Sequence, residues 1–243
     1  GDWDKMSKNL SSQFLSKQSK KLLRQPVDLT YKDQIADLDD IMSLTNPTVK
    51  KKLLLEFANN CDGAATHLKA AAFPRQTTQV ILPLTKIKDN EVYAPNYKNG
   101  ETLALVRYPH GGTFEIPIVT VNNKNAQGKS VITNAVKDAI GISPKTAERL
   151  SGADFDGDQV ICIPVTPKAN IKSTPILDDL KGFDPKTAYP YREGMKVMTE
   201  EYKQKQMGMV SNLINDMTLK GANEKEIARA VRHSMVVIDA AKH

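Results

Sequence analysis

The stretch Ser151-Gly152-Ala153-Asp154-Phe155-Asp156-Gly157-Asp158-Gln159-Val160 runs directly into Ile161-Cys162-Ile163-Pro164-Val165. Its aspartates stand at alternate positions, 154, 156 and 158. Alternation places successive side chains on one side of an extended or tightly turned backbone. Three convergent carboxylates repel one another and stay ionised together only around a cation. Asp154, Asp156 and Asp158 offer only hard oxygens, which select Mg²⁺, or Mn²⁺, rather than zinc. Gly157 lets the backbone bend where a side chain would obstruct the ligands. An Asp/Gly cluster also makes an ordinary turn. A surface turn, however, does not need three carboxylates at the mouth of a buried strand, which is how Gln159 to Val165 reads.

Two other aspartate motifs compete. An EF-hand loop requires Gly after its third acidic position and Glu at its twelfth, but those places hold Gln159 and Val165. A haloacid-dehalogenase-type phosphatase carries D-x-D-G-T after an apolar strand. Here Asp158 replaces the Thr and Ser151-Gly152-Ala153 precedes the motif. That Mg²⁺-dependent phosphotransferase is the enzymatic alternative. A nucleic-acid-binding module that keeps a fold without catalysis is the non-enzymatic one.

The 243 residues suffice for one large or two small domains, and 40% hydrophobic with 26% charged residues is ordinary for a soluble protein. No apolar run reaches membrane-spanning length and no signal-peptide core is visible, so a cytoplasmic protein with no membrane partner is expected. Cys61 and Cys162 are too few for a disulfide framework and read as reduced, buried thiols. A net charge of +6 and a pI near 9.1 bias the chain moderately toward anionic partners. Gly1 in place of Met suggests an excised fragment or a processed chain.

Residues 1–73 read as a helical, basic segment. Lys17, Lys20, Lys21 and Arg24 cluster, as do Lys50, Lys51 and Lys52, either as solvated faces or as phosphate-binding patches. Leu10, Phe14, Leu15, Leu22 and Leu23 recur near helical spacing until Pro26, which is expected to stop the helix. Asn46 caps a second helix with Pro47 first, running towards Asn59, and Ala64 to Ala72 reads as helical again.

From Pro74 the character changes. Gln79–Leu84, Glu91–Ala94, Thr102–Arg107 and Pro117–Val121 are strand candidates, with a turn at Asn99-Gly100. Val131 to Ile140 has helical periodicity, and Ser143-Pro144 caps a short helix to Leu150. Short strands, turns and short helices over 74–166 predict a small mixed barrel. Residues 167–197 read as an irregular connection. Residues 198–243 read as helices, the last opened by an Asn223/Glu226 capping box and buried along Ile227, Val231, Ser234, Met235 and Ile238. No internal repeat is visible. The fold class is thus α+β, a single barrel flanked by helical segments.

Asp154-Phe155-Asp156-Gly157-Asp158, preceded by Gly152-Ala153, resembles the signature of the double-psi β-barrel RNA polymerases. These include the largest subunit of cellular RNA polymerase, the RNA-dependent enzymes of gene silencing, and single-chain polymerases of phages and prophages. Arg107-Tyr108-Pro109 is similar to the family's Arg-x-Pro substrate motif. Met207 to Asn212, then His233-Ser234 through Ile238-Asp239 to Lys242, is similar to the helical region after the barrel. The likeness covers roughly residues 76–243 and looks closest to the phage type.

The resemblance implies a double-psi barrel performing Mg²⁺-dependent nucleotidyl transfer from NTPs to an RNA 3′ end on a nucleic-acid template. It implies Asp154, Asp156 and Asp158 as catalytic metal ligands and Arg107 as the reader of the incoming ribose hydroxyls. From the residues alone, Arg107 reads equally as a strand-end arginine in an ordinary salt bridge. It further implies a second barrel, outside these residues, that carries nucleotide-contacting lysines.

Overall fold

The computed structural model describes residues 9–10, 14, 18–66, 68–69, 73–107, 110–150, 153–190, 192–195 and 197–239. Strands β1 (Asn9–Leu10) and β2 (Leu68–Lys69) form a short antiparallel ribbon around helices α1 (Lys20–Ser43) and α2 (Pro47–Thr66). Six strands follow: β3 (Thr77–Pro83), β4 (Glu91–Val92), β5 (Thr102–Val106), β6 (Ile118–Val121), β7 (Ala139–Ile142) and β8 (Gln159–Pro164). Helix α3 (Ala126–Val131) lies between β6 and β7, and α4 (Pro144–Glu148) between β7 and β8. Helices α5 (Pro185–Ala188), α6 (Glu200–Leu219) and α7 (Glu224–Asp239) complete the described chain.

The six strands are ordered β4-β6-β5-β8-β3-β7. Just past β4, Tyr93 bridges to Gly141 of β7: the Tyr93 N–H donates to the Gly141 carbonyl at 2.9 Å, and the Gly141 N–H returns at 2.8 Å. That bridge joins the two ends of the sheet and makes a nearly closed barrel. Exchanging β3, β4, β5 for β6, β7, β8 leaves the pairing unchanged. Parallel β3–β7 maps onto parallel β6–β4, and antiparallel β3–β8 onto antiparallel β6–β5. The β5–β8 pair and the closing bridge map onto themselves. The interlocked, self-symmetric order is that of a double-psi barrel. The dehalogenase-type alternative, which needs an open parallel sheet, is thereby removed.

Why β5 and β8 read as unbroken apolar runs follows from burial on both faces. Leu103, Leu105, Val160 and Cys162 join Ile81, Val92, Val119, Val121, Ile140 and Ile142 in one core. Ala104, Val106, Ile161 and Ile163 face a second core with Phe14, Leu22, Phe73, Ile116, Ala169 and Ile171. The Gln18 side chain fastens this outer layer, donating to the Lys172 carbonyl at 3.0 Å and accepting the Lys172 N–H at 2.7 Å. A third core joins Phe114 to Leu177, Val210, Ile214, Ile227, Ala228 and Val231, seating α6 and α7.

Cys162 is buried as a free thiol, and its burial pushes the thiol pKa up. The Cys61 side chain lies outside the description. Among the described residues no helix is long and apolar enough to cross a membrane.

Four local expectations change. Leu10, read as part of a helical stripe, lies in strand β1. Pro26 does not stop α1, which runs through it; Leu22, Pro26 and Thr30 form the buried stripe, at i, i+4 and i+8. The ring costs one backbone hydrogen bond there but packs on the inward face. Leu68–Lys69 is a strand rather than helix, with residues 70–72 outside the description. The helical stretch expected over Val131 to Ile140 does not form: α3 ends at Val131, residues 132–138 turn and bend, and Ala139–Ile142 is the strand β7 with all four residues buried. The Asn46 and Ser143 caps do form, and Asn223 and Glu226 exchange bonds of 3.0 Å in both directions.

Candidate metal centre

The aspartate loop is built by alternation. Ala153 and Phe155 pack against the barrel core, which turns their neighbours Asp154 and Asp156 outward. Gly157, at φ +118°, turns the chain into β8. Nothing lies within 4 Å of a Cβ built there, so its backbone conformation, not space, calls for glycine. Asp158 is locked from both sides. Its carbonyl accepts the Ile81 N–H of β3 at 3.0 Å, and its Oδ2 accepts the Asp154 N–H at 3.0 Å.

One carboxylate oxygen from each of Asp154, Asp156 and Asp158 lies within 4.8 Å of the others. Asp156 is exposed, the other two half-buried. An all-oxygen donor set open to solvent fits a hard divalent cation that keeps part of its water shell. It suits zinc less well, because zinc sites carry His nitrogen or Cys sulfur among their ligands.

Arg107 reaches this loop through strand register. Antiparallel pairing of β5 with β8 sets Val106 opposite Ile161, so the residue after β5 falls beside the start of β8. There the Arg107 Nη2 donates to Asp158 Oδ2 at 2.8 Å. Its side chain is only 9% exposed, against 22% for Asp158, so the pair is shielded from much of the screening that weakens surface pairs. Tyr108, Pro109, Ser151, Gly152 and Lys242 lie outside the description.

Three further residues gather here: His110, which the sequence offers beside the Arg107 motif as a turn histidine or a phosphate contact, and Glu115 and Arg149, which spacing along the chain did not reveal. Glu115, in a turn Thr113–Glu115, is buried; its Oε2 accepts the Gly111 N–H at 2.5 Å and lies 3.9 Å from His110 Nδ1. Gly111 suits this approach, because a Cβ there would meet Glu115 Oε2 at 3.0 Å and the carboxylate would have to give way. His110 is buried beside Phe14, and burial pushes its pKa down to about 3, so it is neutral at pH 7. Arg149, just past α4, donates through Nη2 to the Thr174 carbonyl at 3.0 Å and reaches the Ile116 carbonyl and Ser173 Oγ at 3.4 Å. Burial lowers its pKa. Glu115, Glu148, Arg149, Asp154, Lys186 and Met235 share the wall of a cavity of about 350 Å³ between the barrel mouth and the helices. Neither Glu115 nor Arg149 belongs to a repeating pattern along the chain. The Gly111-Gly112 pair beside His110 reads from the sequence as either a close backbone approach or a hairpin turn.

No protein-family model matches the chain, and no curated protein matches it. Among solved structures it is similar to "RNA dependent RNA polymerase QDE-1 from Thielavia terrestris", with 14% identity and a TM-score of 0.46. The match covers 94% of this chain and 31% of that chain, so the chain spans about a third of the length of that polymerase.

Proposed function

We propose that this chain is the catalytic barrel of a single-chain, phage- or prophage-type RNA polymerase, acting by nucleotidyl transfer. The observation that carries the reading is the convergence of Asp154, Asp156 and Asp158 at the mouth of a double-psi barrel, with Arg107 against Asp158. The sequence signature around the same residues supports it.

In this reading Asp154, Asp156 and Asp158 hold Mg²⁺, or Mn²⁺, which would acidify an RNA 3′-hydroxyl and offset charge on the leaving pyrophosphate. The chain's own part is positioning. Ala153 and Phe155 fix the loop on the core, so the carboxylates are set before substrate arrives. The Asp154 N–H holds the Asp158 carboxylate in place. Arg107 presents a rigid fork of donors suited to ribose hydroxyls, and the 2′-hydroxyl separates RNA from DNA. NTPs, a nucleic-acid template and the RNA product are the proposed partners. A second barrel completes the nucleotide site, and the setting is the bacterial or infected-host cytoplasm. The proposed division is a basic helical segment 1–73, the catalytic barrel 74–166, a connection 167–197 and C-terminal helices 198–243.

The test is RNA extension by the full-length protein carrying Asp156→Ala. Loss of one ligand is expected to slow synthesis by about a thousandfold or more. Undiminished synthesis would end the assignment and leave a nucleic-acid-binding module.

A further inference from the structure

The contacts of Asp158 bear on how the site loads. Its Oδ2 accepts two donors, the Asp154 N–H at 3.0 Å and Arg107 Nη2 at 2.8 Å. A carboxylate oxygen offers two lone-pair directions, and both are taken. Of the two donors, the backbone N–H is fixed by the loop, whereas the guanidinium ends a long side chain joined to the backbone by several rotatable bonds. The same oxygen belongs to a carboxylate that converges with those of Asp154 and Asp156. A divalent ion between them would bring two positive charges next to a third on Arg107.

We infer that Arg107 is a placeholder for the cation: it compensates Asp158 in the metal-free chain and gives way when a divalent ion binds. The inference rests on the reading of the triad as a metal centre. Its consequence is an order of events. With the cation absent, the Arg107 fork is turned to Asp158. With the cation bound, the fork is released at the rim of the same site and is available to a ligand oxygen. Metal binding then precedes and enables recognition through Arg107, and a substrate that reaches the empty site meets an arginine already engaged.

The experiment is Mn²⁺ titration, followed by electron paramagnetic resonance, on wild-type protein, Arg107→Gln and Asp156→Asn. Removing one partly screened charge from beside a divalent ion is expected to make Arg107→Gln bind Mn²⁺ about tenfold tighter than wild type. Asp156→Asn serves as the control that locates the ion. In parallel, Mg²⁺ added to wild-type protein is expected to shift the Arg107 guanidinium resonances in a ¹⁵N-labelled sample. If Mn²⁺ binds wild type in an Asp156-dependent manner but Arg107→Gln binds it equally or more weakly, Arg107 supports the ligands and the inference falls alone. If neither wild type nor Arg107→Gln binds Mn²⁺, the inference falls together with the metal centre. Unmoved Arg107 resonances at saturating Mg²⁺ overturn the release step.

Discussion

At the scale of single residues, the buried polar groups behind the loop make the protein sensitive to acid. His110 is held neutral by burial, its pKa pushed down to about 3, and its Nε2 meets no hydrogen-bond partner among the described residues. In an unfolded chain the same group titrates near 6.5. Above that pH both states are neutral and the group contributes nothing to the pH slope. Below it the unfolded chain takes up a proton that the folded chain refuses, so stability falls as pH drops from about 6.5 towards 3. Between pH 7.5 and 5 the loss from this residue is about 2 kcal/mol. Urea unfolding at those two pH values checks it. His110→Phe, which suits the apolar neighbourhood of Phe14, is expected to remove about that much of the difference; an unchanged slope would place the acid sensitivity elsewhere. The aspartates were legible in the sequence because their chemistry repeats at a fixed interval. Glu115 and Arg149 were not, because a single buried polar residue has no interval to read; His110 stood out beside Pro109 and Gly111 as a turn histidine, but its burial did not.

At the scale of elements, closure of the barrel depends on one glycine. Gly141 supplies both hydrogen bonds of the bridge to Tyr93, and a Cβ at that position would lie 2.3 Å from Leu84 Cδ1. Gly141→Ala is therefore expected to lower stability by about 1–3 kcal/mol through overpacking. Thermal unfolding measures it, and a variant as stable as wild type would show that Leu84 moves aside at no cost. The strands were legible where an apolar run was bounded by turn residues, as at Gln159–Val165 and Thr102–Arg107. Ala139–Ile142 was missed because all four residues are buried and no alternation marks it. It also follows residues whose apolar spacing matches a helical turn. Pro26 misled for a related reason: propensity opposes it in a helix interior, but the inward face of α1 accommodates its ring. Strand order was out of reach, because periodicity says which face of a strand is buried and not which strand lies beside it.

At the scale of the molecule, burial is uneven. Strands β5 and β8 lie between two cores, whereas α1 buries only Leu22, Pro26 and Thr30 along its length and exposes Val27, Tyr31, Ile35 and Met42. Local opening costs least where few apolar contacts are broken. Amide hydrogen exchange is expected to be slowest in β5 and β8 and fastest, among the helices, in the C-terminal half of α1; equal protection throughout would mean that α1 is held by contacts beyond those described. The pairing of β3 with β8 has one more consequence. Thr77, which opens the barrel, stands opposite Cys162, near where the barrel ends, and Phe73 and Ala169 on either flank meet in one core. The polypeptide enters and leaves side by side, about one strand spacing apart. The barrel therefore has the layout of an insertion, a unit whose two ends meet at one place, and the buried Phe73 and Ala169 at that junction tie it to the segments on either side.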